Sequence, residues 1–115
     1  MDLPSHRLDD QMAVAPQLTP EAMAAAAAAG YRSVINNRPD YEGGPDQPTN
    51  AAMEAAARAA GLQYAFLPVL GAYQTPEQAQ AMAELMRELP KPVLAFCRTG
   101  TRSARLYAMA RQLGD

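Results

Sequence analysis

The run Pro92-Val93-Leu94-Ala95-Phe96-Cys97-Arg98-Thr99-Gly100-Thr101-Arg102-Ser103 carries the only cysteine of the chain, between an apolar strand-like segment and a helix-like one. A thiol at a helix N-terminus meets unpaired backbone N–H groups and the positive end of the helix dipole, and Arg98 and Arg102 stand within five residues of it. Each of these stabilises thiolate over thiol. In such settings a thiol pKa of about 8.5 falls to roughly 3.5–7.5, which makes Cys97 a candidate nucleophile. In Cys97-x4-Arg102, Thr99, Gly100 and Thr101 are small or flexible enough to turn successive N–H groups inward around an anion. Arg102 closes that ring with planar paired donors matched to an oxyanion. Ser103 is placed to cap the following helix or to donate its hydroxyl to the thiolate. Arg98 adds positive charge beside the nucleophile, although a solvated surface position suits it equally well.

A second wall is expected from Asn36-Asn37-Arg38-Pro39-Asp40, with Arg38 attracting an anionic substrate and Asp40 orienting it. The competing local reading has Asn36, Asn37 and Asp40 satisfying turn backbone while Arg38 pairs with Asp40 to brace the loop. His6 is the sole histidine and lies near the terminus, so no Cys/His/Asp triad assembles. The seven methionines fall at helical spacing and read as core filler. Tyr41, Tyr73 and Tyr107 are candidates for the pocket border. No metal cluster and no cofactor are expected.

The elements that must position these residues follow from caps and periodicity. Met12 to Ala15 reads as an early strand, and Thr19-Pro20-Glu21 starts a helix that Gly30 stops. Ser33 to Asn36 is β-prone and leads into a long Gly/Pro-rich loop through Pro48. Thr49 or Asn50 caps a helix to Ala60, Tyr64 to Val69 reads as a strand, and Thr75-Pro76-Glu77 starts a helix to about Leu89. That last helix places Ala79, Met82, Ala83 and Met86 on one face. Val93 to Phe96 then forms a strand and Ser103 to about Leu113 a final helix. Strands alternating with helices predict an α/β fold, a mostly parallel sheet covered on both faces, with ligands beyond the carboxyl ends of the strands. The cysteine loop and the Asn36 to Asp40 segment both fall there.

At 115 residues and 49% hydrophobic content the chain suits one domain, 1–115, without disulfide or metal staples. A net charge of -2 excludes global attraction to nucleic acid or anionic membrane, so anion binding has to come from local geometry. One cysteine excludes an internal disulfide framework, and Met1 to Gln11 is too polar for a signal peptide, so a cytoplasmic location is expected. No apolar run approaches the roughly 20 residues of a membrane-spanning helix.

The cysteine loop resembles those of rhodanese-like sulfurtransferases and cysteine-dependent phosphatases. Val34 to Asp40, Leu67-Pro68-Val69 and Cys97 to Ser103, in that order, resemble the phosphatase-like domain of the bacterial β-lactamase-hydrolase-like proteins. That resemblance implies a dual-specificity-phosphatase-like architecture, occurring alone or joined to a metallo-β-lactamase-fold persulfide dioxygenase partner. It also exposes departures. The phosphatase pattern spaces cysteine and arginine by five residues where this chain has four, its usual preceding histidine is Phe96 here, and no acid follows Pro68-Val69. Asp40 and Asp46 are the available substitutes. A shorter ring and a missing acid suit sulfur transfer, in which Cys97 carries sulfane sulfur as a persulfide to a small thiol acceptor and no general acid is needed. The expected activity is therefore a sulfurtransferase. The alternatives are phosphomonoester hydrolysis at the same cysteine and a non-catalytic module that holds an anion or docks.

Overall fold

The structure is a computed structural model that describes residues 3–71 and 73–114. Strands β1 (His6–Arg7), β2 (Met12–Ala15), β3 (Ser33–Asn36), β4 (Gln63–Phe66) and β5 (Val93–Phe96) form one sheet in the order β1-β2-β5-β3-β4. Only β1 is antiparallel; β2, β5, β3 and β4 run parallel. Helices α1 (Ala22–Ala28), α2 (Asn50–Ala59), α3 (Pro76–Glu88) and α4 (Thr101–Gly114) connect or follow the strands.

The period-2 alternation of the strands divides the core. Ala13, Ala15, Val34, Leu94 and Phe96 face α1 and α2, packing on Met23, Ala26, Met53 and Ala57. Met12, Val14, Ile35, Val93 and Ala95 face α3 and α4, against Met82, Met86, Leu106 and Ala110. Both faces of the three central strands are thus buried, the requirement of a parallel sheet. The α/β architecture with helices on both faces is as expected. Among the described residues, no helix is long and apolar enough to cross a membrane.

Element boundaries differ from the sequence reading where tertiary bonds intervene. Thr49, not Asn50, caps α2, its side chain accepting from Ala52 N, while Asn50 Oδ1 accepts from the Tyr64 hydroxyl at 2.6 Å. Helix α1 starts at Ala22, after a turn in which Thr19 Oγ1 accepts from Ala22 N at 3.3 Å. Strand β4 stops at Phe66 because Pro68 has no N–H for the ladder, yet Leu67 N and Val69 N still bond Asn36 O and Asn37 O. The helix after the cysteine loop begins at Thr101 rather than Ser103.

The register sets where the site lies. Ala15 pairs with Phe96, Phe96 with Asn36, and Asn36 with Phe66, so four strands end level. Gln17, Cys97, Arg38 and Val69 consequently leave the sheet at one edge, with Cys97 following β5, the central strand.

Candidate active site

Cys97 is fully buried where β5 gives way to the loop, and its N–H donates to Ala15 O at 3.4 Å. Gly100 N donates to Cys97 Sγ at 3.0 Å. Gly100 has φ +94°, and a Cβ there would lie 3.4 Å from the Ala15 backbone carbonyl, so only glycine brings this N–H onto the sulfur without strain. Burial pushes the Cys97 thiol up, but the backbone N–H groups of Ser103, Thr99 and Gly100 outweigh it, and the thiol lies below its ordinary range. The Ser103 hydroxyl also faces the sulfur, but its single proton goes to Asn37 Oδ1 at 2.8 Å, leaving the backbone donors to hold the thiolate. Thr101 N turns instead to Thr99 Oγ1 at 3.4 Å, and the Thr99 hydroxyl donates to Thr101 Oγ1. Thr101 thus closes the loop without serving the sulfur, and Ser103 lies inside α4 rather than capping it.

Arg102 sits in the first turn of α4 with its side chain only 12% exposed. Nη1 donates to Val69 O and Glu42 Oε2, both at 2.8 Å, and Nη2 donates to Glu42 Oε1 at 2.7 Å. Hydrogen bonding to Glu42 raises its pKa, against burial, and the charge and contact of Cys97 add to the rise. The guanidinium therefore stands between the thiolate and a carboxylate.

Arg38 supplies the second cation. Its backbone N–H donates to Asn36 Oδ1, fixing the turn after β3; Nε donates to Glu42 Oε1 at 2.9 Å and Nη1 to Gln17 Oε1 at 3.1 Å. Gln17 N bonds Arg98 O at 3.2 Å, which ties this wall to the cysteine loop. Gln47 shapes the segment between them, accepting from Gly43 N and donating to Pro39 O. Gly43 packs so closely that a Cβ would lie 2.6 Å from Arg38 Nη2. Glu42 is held below the ordinary carboxylate range by its hydrogen bond to Arg102, opposed by burial and reinforced by Arg38. Together Arg38, Glu42, Gly43, Gly71, Arg98 and Arg102 line an open cleft of about 630 Å³.

Of the expected site residues, the structure gathers Cys97, Thr99, Gly100, Ser103 and Arg102 around the sulfur and brings Arg38 and Arg98 to the cleft. Asp40 does not join them. Its Oδ1 accepts from Asn50 N at 2.6 Å at the start of α2, and the residue is exposed. Tyr107 is also elsewhere, donating to Asp9 Oδ2 at 2.6 Å on the other edge of the sheet. Two residues were missed as members of the site. Asn37 accepts from Ser103, donates to Leu67 O at 2.8 Å, and bonds Phe96 O through its own N–H, joining β5, β4 and α4. Glu42 was missed although it lies four residues after Arg38, a spacing at which opposite charges meet when the chain turns.

The family model for the phosphatase-like domain of Beta-lactamase hydrolase-like protein matches residues 5–114. A beta-lactamase hydrolase-like protein of Xylella fastidiosa is 41% identical over 103 residues, which are 90% of this chain and 24% of that protein. The chain thus spans about a quarter of the length of the curated relatives it matches. Among solved structures, a "putative phosphatase" of Neisseria meningitidis superposes with a TM-score of 0.83 at 32% identity, over 91% of this chain and 74% of that one. The catalytic core of a PP-IP phosphatase of S. cerevisiae shares the fold at 12% identity, with a TM-score of 0.70 over 96% of this chain and 65% of that one.

These findings overturn the expectation of a sulfurtransferase, since the matched family is phosphatase-like and the similar structures are described as phosphatases. The physical reason is that counting residues between Cys97 and Arg102 measured the wrong enclosure. Arg102 reaches Val69 and Glu42 while still meeting the sulfur, and with Arg38 and Arg98 it lines a cleft far larger than one sulfur atom. The one carboxylate among the lining residues, Glu42, comes from the long loop and is paired with both Arg38 and Arg102.

Proposed function

The chain belongs to the family of the phosphatase-like domain of beta-lactamase hydrolase-like proteins, and from that premise we propose that it hydrolyses phosphomonoesters through Cys97. The observation that supports this reading best is a buried sulfur whose thiol pKa is lowered by three backbone N–H groups and which is met by Arg102, one of the three arginines that line the adjoining cleft. Cys97 Sγ attacks phosphorus in line; the S–P bond forms as the bond to the ester oxygen breaks, and that oxygen leaves with the electron pair and takes its proton from solvent water. Water then attacks the phosphocysteine, releasing inorganic phosphate and restoring the thiolate. The three phosphoryl oxygens carry charge throughout, and the guanidinium of Arg102, with Arg38 and Arg98 beside it, is the source of compensating positive charge.

The expected result is release of phosphate from p-nitrophenyl phosphate by the wild-type chain and a loss of about 10⁴-fold or more in Cys97→Ser. A phosphocysteine adduct trapped by acid quench and located at Cys97 by mass spectrometry would establish the covalent step. Equal turnover in wild type and Cys97→Ser would rule the reading out. The segment's share of its longer relatives supports a further proposal, that the domain works beside a larger partner domain such as a metallo-β-lactamase fold.

A further inference from the structure

In the free protein the fork of Arg102 is already occupied. Both terminal nitrogens of the guanidinium grip the Glu42 carboxylate, at 2.8 and 2.7 Å, in the paired geometry that a phosphoryl group would adopt. Glu42 Oε1 is simultaneously held by Arg38 Nε at 2.9 Å, so one carboxylate bridges two arginines whose side chains are 10% and 12% exposed. The arginines have other anchors, Val69 O for Arg102 and Gln17 Oε1 for Arg38, which keep them in place when the carboxylate leaves. Glu42 is the more exposed member. It sits in a turn, its side chain is a quarter exposed, and among the described residues its carboxylate receives side-chain hydrogen bonds from the two arginines alone.

We propose that Glu42 is a resident competitor that occupies the anion site, so that a ligand binds by displacing it and the site selects phosphoryl dianions over monoanionic oxyanions. This inference rests on the phosphatase reading and names the substrate class within it: monoesters of phosphate, not phosphodiesters or sulfate esters. The reason is electrostatic. A monoanion exchanged for the Glu42 carboxylate gives two arginines the same charge they already hold, whereas a dianion brings one charge more to the same donors. Neutral or singly charged ligands meet a filled site; doubly charged ones gain enough to empty it.

The test uses two probes of similar shape, phenylphosphonate as the dianion and benzenesulfonate as the monoanion, titrated calorimetrically at mildly alkaline pH. Wild type is expected to bind phenylphosphonate and to give no measurable heat with benzenesulfonate. Glu42→Gln, which keeps the shape and removes the charge, is expected to bind phenylphosphonate about ten- to a hundredfold tighter and to bind benzenesulfonate measurably. Unchanged discrimination in Glu42→Gln, or weaker phenylphosphonate binding, would overturn the proposal. Should Glu42→Gln not fold, Glu42→Asp puts the carboxylate one methylene short of the two arginines. Part-way relaxation of the discrimination there supports the proposal, and full wild-type discrimination overturns it. Aryl phosphate hydrolysis, followed in parallel, separates the two levels. Turnover with unchanged selectivity in Glu42→Gln leaves hydrolysis standing and removes the competitor, while relaxed selectivity without turnover in wild type removes the phosphatase reading alone.

Discussion

Two carboxylate clusters lie at opposite edges of the sheet, and their difference separates a structural lock from an anion site. Before β2, Asp9 Oδ1 accepts from Gln11 N and Met12 N at 2.8 and 2.9 Å, and Oδ2 accepts from the Tyr107 hydroxyl and Arg111 Nη1, both at 2.6 Å. Four donors thus serve that carboxylate, two of them from its own backbone turn. Its cation, Arg111, has a side chain 58% exposed, so water solvates it whether or not Asp9 is present. Beyond β3 and β5, Glu42 receives its side-chain hydrogen bonds from two arginines that are mostly shielded from water. Removing Asp9 would leave a solvated arginine; removing Glu42 would leave two desolvated cations facing a cleft. Buried positive charge in excess, rather than a cleft or an ion pair as such, marks the site that takes an anion. The cleft beside Asp9, about 450 Å³ and lined also by Met86 and Arg87, lacks that surplus.

The largest effect expected to separate the two clusters comes from changing their cations in the same way. Arg102→Lys keeps the charge and loses the paired planar donors, so kcat/KM for an aryl phosphate is expected to fall about 10²- to 10³-fold. Arg111→Lys, the same chemical change at the other edge, is expected to leave kcat/KM within about twofold, because that cation touches no reacting group. Steady-state kinetics on both variants checks the contrast. Equal losses would erase the distinction between lock and site.

How much of this was legible beforehand depends on how local each feature is. Cys97 and Gly100 could be read because an apolar strand, a glycine and a helix-like stretch follow one another within ten residues, although α4 starts at Thr101, two residues before Ser103. The acidic partner could not. Asp40 and Glu42 flank the same turn, and which of them reaches Arg102 is decided by Tyr41 at φ +63° and by the two Gln47 bonds that curl the segment back. Spacing from Arg38 favours Glu42, four residues on, but reaching Arg102 as well depends on the left-handed residue between the two acids, with Asp40 turned to the helix α2 backbone and Glu42 to the arginines. The four residues between Cys97 and Arg102 did not foretell where the guanidinium lies, because its anchor Val69 O is 33 residues away in the chain. Strand β1 went unread for a similar reason. Two exposed polar residues carry no periodic signal, and their pairing with Val14 and Ala13 depends on the turn that Asp9 closes.

A smaller effect, on stability rather than activity, sharpens the same comparison. Burial raises the Asp9 carboxyl, but the Tyr107 hydroxyl, the Gln11 and Met12 N–H groups and Arg111 together bring it below its ordinary range. A folded-state pKa below the unfolded value of about 4 means the stabilisation is fully present above that pH and is lost as pH falls through the folded value. Glu42, also lowered, acts with the same sign. Urea unfolding midpoints are therefore expected to hold steady from neutral pH down to about 5 and to drop below about 4. Asp9→Asn should cost about 1–2 kcal/mol at neutral pH and shrink the acid drop, with turnover by the folded fraction unchanged. A drop of unaltered size in Asp9→Asn would assign the acid sensitivity to other groups.

The smallest expected effect lies outside both clusters and tests whether they are specific at all. Thr75 Oγ1 accepts from Gln78 N at 3.1 Å while Gln78 Oε1 accepts from Thr75 N at 2.8 Å, a reciprocal cap with Pro76 in the first turn of α3. Thr75→Ala removes one half of that exchange and should cost about 1 kcal/mol, read from urea unfolding. Because the cap is exposed and uncharged, its loss should be the same at pH 7 and pH 4, and phenylphosphonate affinity should not move. A pH-dependent loss in Thr75→Ala would mean that the acid drop reflects general weakening of the α3 and α4 layer, in which case the Asp9 lock would be no more than one contact among many in that layer.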